Sequence, residues 1–402
     1  MKRVWSILTA LLLIGTIIPM TGCAKKQTDT NTIVIWHDKE DAVVEVLQKA
    51  FEEQLPDVTV ELVRKEGLTE ALKLVGNDPS AAPDMYLFAH DKIGVYAELG
   101  ILAPITDFVD EETLSNYLPV TIESATYKDT LYQLPLYFET LLFLYNRDLM
   151  SDDEVPATTE ELYAYMQANT SGDHFGFVEQ HSTAYYSIPW INGFGGSLIS
   201  DDGVPLLNSP EVRAALKYHK KFLAYMPGES EYSTVNTLFL SGMADSIIGG
   251  PWLVPSAREA GIDLGFSTMP VVDETGLPLA PYTGVQGVHV LKVAAESKHD
   301  TVARVLNVLT DPQVGIDLAN ASGCAPANAL AYEDESVSSD PMVTTMREIA
   351  ETAVPMPNIP EMDVMWTVMG NLLVAVNMSD GVVETETTKY QTKAEQLIEA
   401  MK

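Results

Sequence analysis

Glu139 is the residue in this sequence with the clearest opportunity to do chemistry on a ligand. It stands inside Leu131-Tyr132-Gln133-Leu134-Pro135-Leu136-Tyr137-Phe138-Glu139-Thr140-Leu141-Leu142-Phe143-Leu144-Tyr145-Asn146, a stretch that is almost continuously apolar and aromatic and offers it no neighbouring charge. Such a run, rich in strand formers, predicts a buried strand. A carboxylate placed there costs several kcal/mol unless something hydrogen-bonds to it. Two readings follow. Either Glu139 accepts bonds from nearby backbone amides, or turns to solvent at a break in the strand. Or the strand crosses between two lobes at residues 135–140, and Glu139 faces a cleft where a polar ligand completes its bonding.

Aromatic residues stand beside polar ones at several other predicted strand ends: Trp36-His37-Asp38-Lys39, Phe88-Ala89-His90-Asp91-Lys92, Tyr185-Tyr186, Pro251-Trp252 and Met365-Trp366. In open α/β sheets ligands bind beyond the carboxyl ends of the strands, so these loops are expected to converge on one cleft. A sugar would suit them, because its flat C–H faces pack on rings and its hydroxyl edge bonds to carboxylates and ammonium groups. Taken singly, each of these residues reads as ordinary core packing, because large aromatics are usually buried; it is several together at strand ends that point to a site.

Signatures of catalysis are missing. The seven histidines, at 37, 90, 174, 181, 219, 289 and 299, never pair at the four-residue spacing of a helical zinc site. There is no Gly-x-Ser-x-Gly elbow, and Gly193-Phe194-Gly195-Gly196 lacks the spacing of a phosphate-cradling loop. Asp201-Asp202-Gly203 reads as a turn rather than a calcium loop. No metal or cofactor is called for. A carboxylate pair for glycoside hydrolysis stays open, since its test is a distance of roughly 5 to 9.5 Å between the groups.

The elements that must position these residues are those of a folded α/β protein. The chain has 402 residues, 46% of them hydrophobic and 20% charged, which suits two lobes of ordinary domain size. Its 57 acidic residues outnumber 24 basic ones for a net charge of -33, a surface that repels nucleic acid and anionic lipid. Strands are expected over residues 32–36, 58–63, 83–88, 174–178, 244–249 and 282–291, the last with Gly284 and Gly287 giving bending freedom. Helices are expected over 41–55, 68–76, 91–99, 159–168, 301–309, 341–352, 361–377 and 382–401. Ser209-Pro210-Glu211, a cap followed by proline, opens another that runs to about residue 225. The alternation predicts mainly parallel sheets covered by helices.

At the N-terminus, Lys2 and Arg3, an apolar run over 4–20 and the small residues before Cys23 are the parts of a secretory signal. Met20-Thr21-Gly22-Cys23 resembles the lipobox of bacterial lipoproteins, which would make Cys23 the lipidated first residue of the mature protein, while an uncleaved anchor is the alternative. Cys324 would then be the one cysteine left, read as a small packed residue.

Ile33-Val34-Ile35-Trp36, Ala82-Pro83-Asp84 followed by Ala89-His90-Asp91, Tyr145-Asn146-Arg147-Asp148-Leu149, Gly249-Gly250-Pro251-Trp252 and Met356-Pro357-Asn358-Ile359-Pro360 resemble the maltose/maltodextrin-binding proteins of bacterial ABC importers. The resemblance covers nearly all of the mature chain. It implies a two-lobed, periplasmic-binding-protein-like α/β fold, joined by a hinge that closes on an α-glucan oligosaccharide, and delivery of that sugar to ABC permease subunits. It implies an exported, lipid-anchored monomer that does no chemistry itself. The expected division is signal peptide 1–22, tether 23–31, N-terminal lobe 32–137 with 286–335, and C-terminal lobe 140–282 with 338–402. Crossings are expected near 135–140, 282–287 and 335–340.

Carried over position by position, the resemblance makes Asp38, Lys39, Asp91 and Glu139 bonding partners of sugar hydroxyls, and Tyr185, Trp252 and Trp366 stacking rings. Phe88 stands where the family often has tryptophan, and Lys92 where it often has arginine, which loses ring area and a bidentate fork. Thr183 falls where an acidic contact is sometimes found, and Thr367 and Gly370 where tyrosine and arginine can occur. A different oligosaccharide, an exported glycoside hydrolase using Glu139, and a purely structural surface lipoprotein are the alternatives.

Overall fold

The computed structural model describes residues 30–401. The expected signal peptide, most of the tether and the lipidation site Cys23 lie outside them. The chain opens with strand β1 (Thr32–His37), whose alternate residues Ile33, Ile35 and His37 are buried. Helix α1 (Asp41–Gln54) follows, burying Val43, Leu47 and Phe51 at four-residue spacing along one face, and Pro56 prevents its continuation. Strands β2 (Thr59–Arg64) and β3 (Met85–Ala89) both pair with β1 in parallel.

The apolar stretch around Glu139 is two strands, not one. β4 (Leu134–Glu139) ends at the carboxylate, Thr140 and Leu141 break the run, and β5 (Leu142–Asn146) enters a second sheet. Helices α2 (Ala184–Gly193) and α3 (Pro210–Lys220) come next. The start of α3 is as expected: the Ser209 hydroxyl accepts from the Val212 amide at 3.2 Å, with Pro210 at the first position. β6 (Ser246–Gly249) and β7 (Leu264–Ser267) flank β5 on either side, both antiparallel to it. β8 (Tyr282–Leu291) then returns to the first sheet, between β3 and β4. Helix α4 (Met362–Leu373) packs with α2 in the apolar core on the second-sheet side.

Two sheets with separate helical coverings give the expected two-lobed α/β architecture, but the expectation of mainly parallel sheets is corrected. Among the described residues, parallel pairing between strands is confined to β2-β1-β3 and the short Val354–Pro355 strand beside β8, apart from isolated bridges. β8 runs antiparallel to β3 and β4, and the second sheet is antiparallel throughout. The reason is connectivity: the chain leaves the first sheet after β4, builds the second, and comes back in the opposite sense. The strand expected over 174–178 is corrected as well, since only isolated bridges form there, parallel ones from Phe175 to Ala244 and from Val178 to Ile247 and an antiparallel one from His174 to Ser171.

Candidate functional site

The cavity that gathers the expected residues lies between the sheets, at the carboxyl ends of β3 and β4. It has a volume of about 270 Å³ and is lined by Phe88, Asp91, Lys92, Glu139, Tyr185 and Trp252. Gln286, Gly284, Ala89 and Met356 complete its wall. The two sides differ in chemistry: the charged groups, with the Phe88 ring, come from the first sheet and the turn after β3, and the Tyr185 and Trp252 rings come from α2 and the turn after β6. The Tyr185 ring stands 6.3 Å from that of Trp252 and 6.5 Å from that of Trp366, so the three form one aromatic wall. Gly250 makes room for it, because a Cβ at that position would lie 2.3 Å from the Trp252 ring. Trp366 backs Tyr185 without lining the cavity itself, and meets Tyr282 edge-on at 6.1 Å.

Glu139 resolves toward the cleft. Its carboxylate Oε2 accepts from the Gln286 side-chain amide at 3.1 Å, while the Gln286 carbonyl accepts from Lys39 Nζ at 2.8 Å. Lys39 also pairs with Asp38 at 2.8 Å and lies 5.5 Å above the centre of the Phe88 ring. Burial pushes the Glu139 carboxyl up; the Lys39 charge and the Gln286 bond pull the other way without cancelling it, and Glu40 and Asp38 add to the rise. Burial, and then the Glu139 charge, likewise holds the Tyr185 phenol protonated. That phenol is therefore a donor at physiological pH.

Lys92 pairs with Asp91 at 2.9 Å and with Asp363 of α4. Burial works against its charge, yet the two carboxylates outweigh it and its pKa rises. Asp38 is exposed and shares a second groove, of about 390 Å³, with Phe88, Arg64 and Lys65. Of the nine expected residues, six line the central cavity, Lys39 joins them through Gln286, and Asp38 and Trp366 stand one layer away.

Gln286 was missed by sequence reasoning. A signal existed: it is the one side-chain amide in Tyr282-Thr283-Gly284-Val285-Gln286-Gly287-Val288, in a strand already expected to bend. Among the described residues no group of His, Cys, Asp and Glu is placed to hold a metal, and no helix is long and apolar enough to cross a membrane. Cys324 is buried, and burial pushes its thiol up to about 12, as a packed and unreactive residue requires.

An acceptor carboxylate, ammonium donors and a ring wall facing one another can hold a neutral polyhydroxylated molecule, and residues 47–345 match the bacterial extracellular solute-binding proteins. The chain belongs to that family. This solute-binding protein is 30% identical over 343 residues to a maltotriose-binding protein of Pyrococcus abyssi, covering 83% of this chain and 75% of that one. It is 30% identical over 401 residues to a galactooligosaccharide-binding protein of Bacillus subtilis, covering 93% and 92%. Its fold is similar to that of a cyclo/maltodextrin-binding protein crystallised with maltotetraose, with a TM-score of 0.82 and 26% identity over 94% of this chain and 100% of that one.

Proposed function

We propose that this solute-binding protein captures an α-glucan oligosaccharide of the maltose and maltodextrin class between its lobes and delivers it to the subunits of an ABC permease. The observation that carries this is the lining of the cavity, with Glu139, Asp91 and Lys92 beside the Phe88 ring on the first-sheet side and the Tyr185 and Trp252 rings on the other. A pyranose is two-faced in the same way. In this reading Asp38, Lys39, Asp91, Lys92 and Glu139 bond to hydroxyls, Phe88, Tyr185 and Trp252 present rings to C–H faces, and Trp366 supports the stack from behind Tyr185. The protein binds without transforming its ligand.

The lobes are 32–137 with 286–335 and 140–282 with 338–402, and they rotate about crossings near 135–140, 282–287 and 335–340. Two features support that division: β4 gives way to β5 within two residues, and the Thr140 hydroxyl donates to the Tyr282 carbonyl at 3.3 Å, tying the first two crossings together. Cys23 carries the lipid anchor outside the cytoplasm, a reading supported by its lipobox-like setting.

A galactooligosaccharide is the second reading, favoured by the relative that matches over 93% of this chain. Calorimetric titration of the protein from Ala24 onward with maltotriose, maltotetraose, a galactooligosaccharide and cellobiose separates the two. One-to-one heat confined to the α-glucans is expected. Saturation by the galactooligosaccharide alone would transfer the assignment, and sugar cleaved during the titration would end the claim that no chemistry occurs.

A further inference from the structure

β8 and β4 do not pair evenly. Gly284, Val285 and Gln286 oppose Glu139, Phe138 and Tyr137 in turn, but Gly287 opposes Pro135, so Leu136 is left over and the register shifts at Gln286. A bulge of this kind bends a strand and re-aims the side chain beside it. Gly287 is what permits it, because a Cβ there would sit 2.4 Å from the Leu134 carbonyl oxygen and 2.6 Å from the Gln133 side chain. The extra residue, Leu136, lies on β4 directly across from the step between Gln286 and Gly287, and Gln286 at that step reaches the cavity wall and lies between Glu139 and Lys39.

The order of atoms in this chain is forced. An ammonium cannot accept and a carboxylate cannot donate, so the Gln286 carbonyl must face Lys39 and its NH₂ must face Glu139. We propose that Gln286 is a positioning residue that locks Glu139 and Lys39 into one fixed acceptor–donor pair, and thereby selects ligands presenting two adjacent neutral hydroxyls. One hydroxyl donates to Glu139 and its neighbour accepts the remaining Lys39 hydrogen. A ligand with an anionic group at that edge meets a carboxylate already held in place. This inference rests on the sugar-binding reading above.

Loss of the amide has a consequence that loss of packing lacks. Glu139 faces Lys39, Asp38 and Glu40 from the segment after β1, Asp91 and Lys92 around the cavity, the Tyr137 and Tyr185 phenols, and the Cys324 thiol. Gln286 donates a hydrogen bond to the carboxylate, so removing it leaves Glu139 with less to hold its charge.

The test measures sugar affinity by calorimetry between about pH 8 and about pH 5 for the unmodified protein, Gln286→Met and Gln286→Glu. In Gln286→Met, affinity is expected to fall about tenfold near neutral pH and to drop further on acidification, as Glu139 protonates earlier. In Gln286→Glu two carboxylates meet, so affinity is expected to be lowest at high pH and to recover as one shared proton binds. Lys39→Met cuts the same chain from its other end and is expected to give the Gln286→Met pH profile. Affinities reduced by one constant factor at every pH would make Gln286 structural only and overturn the proposal, as would unaltered binding in Gln286→Met. If Gln286→Met does not fold, parallel profiles for Lys39→Met and the unmodified protein would overturn it. Failure of the unmodified protein to bind any sugar would instead sink the sugar-binding reading itself.

Discussion

Lys92 and Asp363 form an ion pair across the cleft, the lysine at the end of β3 and the carboxylate on α4. Asp363 also accepts from Lys73 at 3.3 Å, so one side chain of the ring-bearing side is held by two ammonium groups of the other. The pair is partly buried, at 15% and 27% side-chain exposure, and so less screened than a surface contact. It favours the arrangement in which the two walls are close. Asp363→Asn is expected to increase the radius of gyration of the sugar-free protein in small-angle scattering and to weaken sugar binding several-fold. High salt is expected to reproduce both effects in the unmodified protein and add little in the variant. An unchanged radius in the variant would show that the pair follows the lobes rather than holding them.

The ring wall gives a second expectation. Trp252 is partly buried against Tyr185, and its free face lines the cavity. Burying a large apolar side chain contributes about 1.5–3 kcal/mol, or roughly tenfold to a hundredfold in affinity. Trp252→Ala and Tyr185→Ala are each expected to lose that much sugar affinity by calorimetry. Trp366→Ala, one layer back, should cost less. Equal losses at all three positions would mean that Trp366 touches the ligand directly.

Much of this site was legible in the sequence because its parts are local. Phe88-Ala89-His90-Asp91-Lys92 reads as a strand end with its polar residues attached, and the structure gives the end of β3 and one turn of 3-10 helix. Glu139 announced itself by the cost of a charge in an apolar run. What could not be read were relations between distant segments. The antiparallel return of β8 depends on where the chain re-enters the first sheet, and the Glu139–Gln286–Lys39 chain spans three segments. Asp363 carries no local sign that it meets Lys92, because nothing in its own helix demands a partner. The 174–178 run has the composition of a strand but finds only single bridges beside the second sheet.

The glycines of β8 separate fold from site. Gly287→Ala would drive a Cβ into the Leu134 carbonyl at 2.4 Å, and overpacking of that kind costs about 1–3 kcal/mol. A lower melting temperature and weaker sugar binding are expected together, since the register shift beside Gln286 is disturbed. At Gly284 a Cβ meets only the Glu139 carbonyl, at 3.8 Å, and the position lines the cavity. Gly284→Ala is therefore expected to leave the melting temperature within about 1 °C while weakening the longer sugars, by scanning calorimetry and titration. A stable, fully binding Gly287→Ala would remove the bulge from the account of the site.

The pH dependence of stability has an identifiable source in His289, which lies fully buried behind β3. Its ring stacks on Tyr86 at 4.2 Å, and its Nε2 lies 3.0 Å from the Gln133 side-chain nitrogen, which also donates to the Phe88 carbonyl at 2.9 Å. A donor so oriented requires an unprotonated Nε2, and burial lowers the imidazole to about 3. Between that value and the ordinary histidine pKa of about 6.5, the unfolded chain binds the proton and the folded one does not. The contribution is thus present above about pH 6.5 and lost as the pH falls, by up to ~1.4 kcal/mol per unit. His289→Phe keeps the stack on Tyr86 and removes the titration. Its melting temperature is expected to be lower near neutral pH, where Gln133 loses an acceptor, and to fall less steeply than that of the unmodified protein toward about pH 5. Parallel curves for the two proteins would place the acid sensitivity elsewhere, with His90 next in line: it accepts from the Val285 amide at 3.0 Å and donates to the Met356 carbonyl at 2.7 Å.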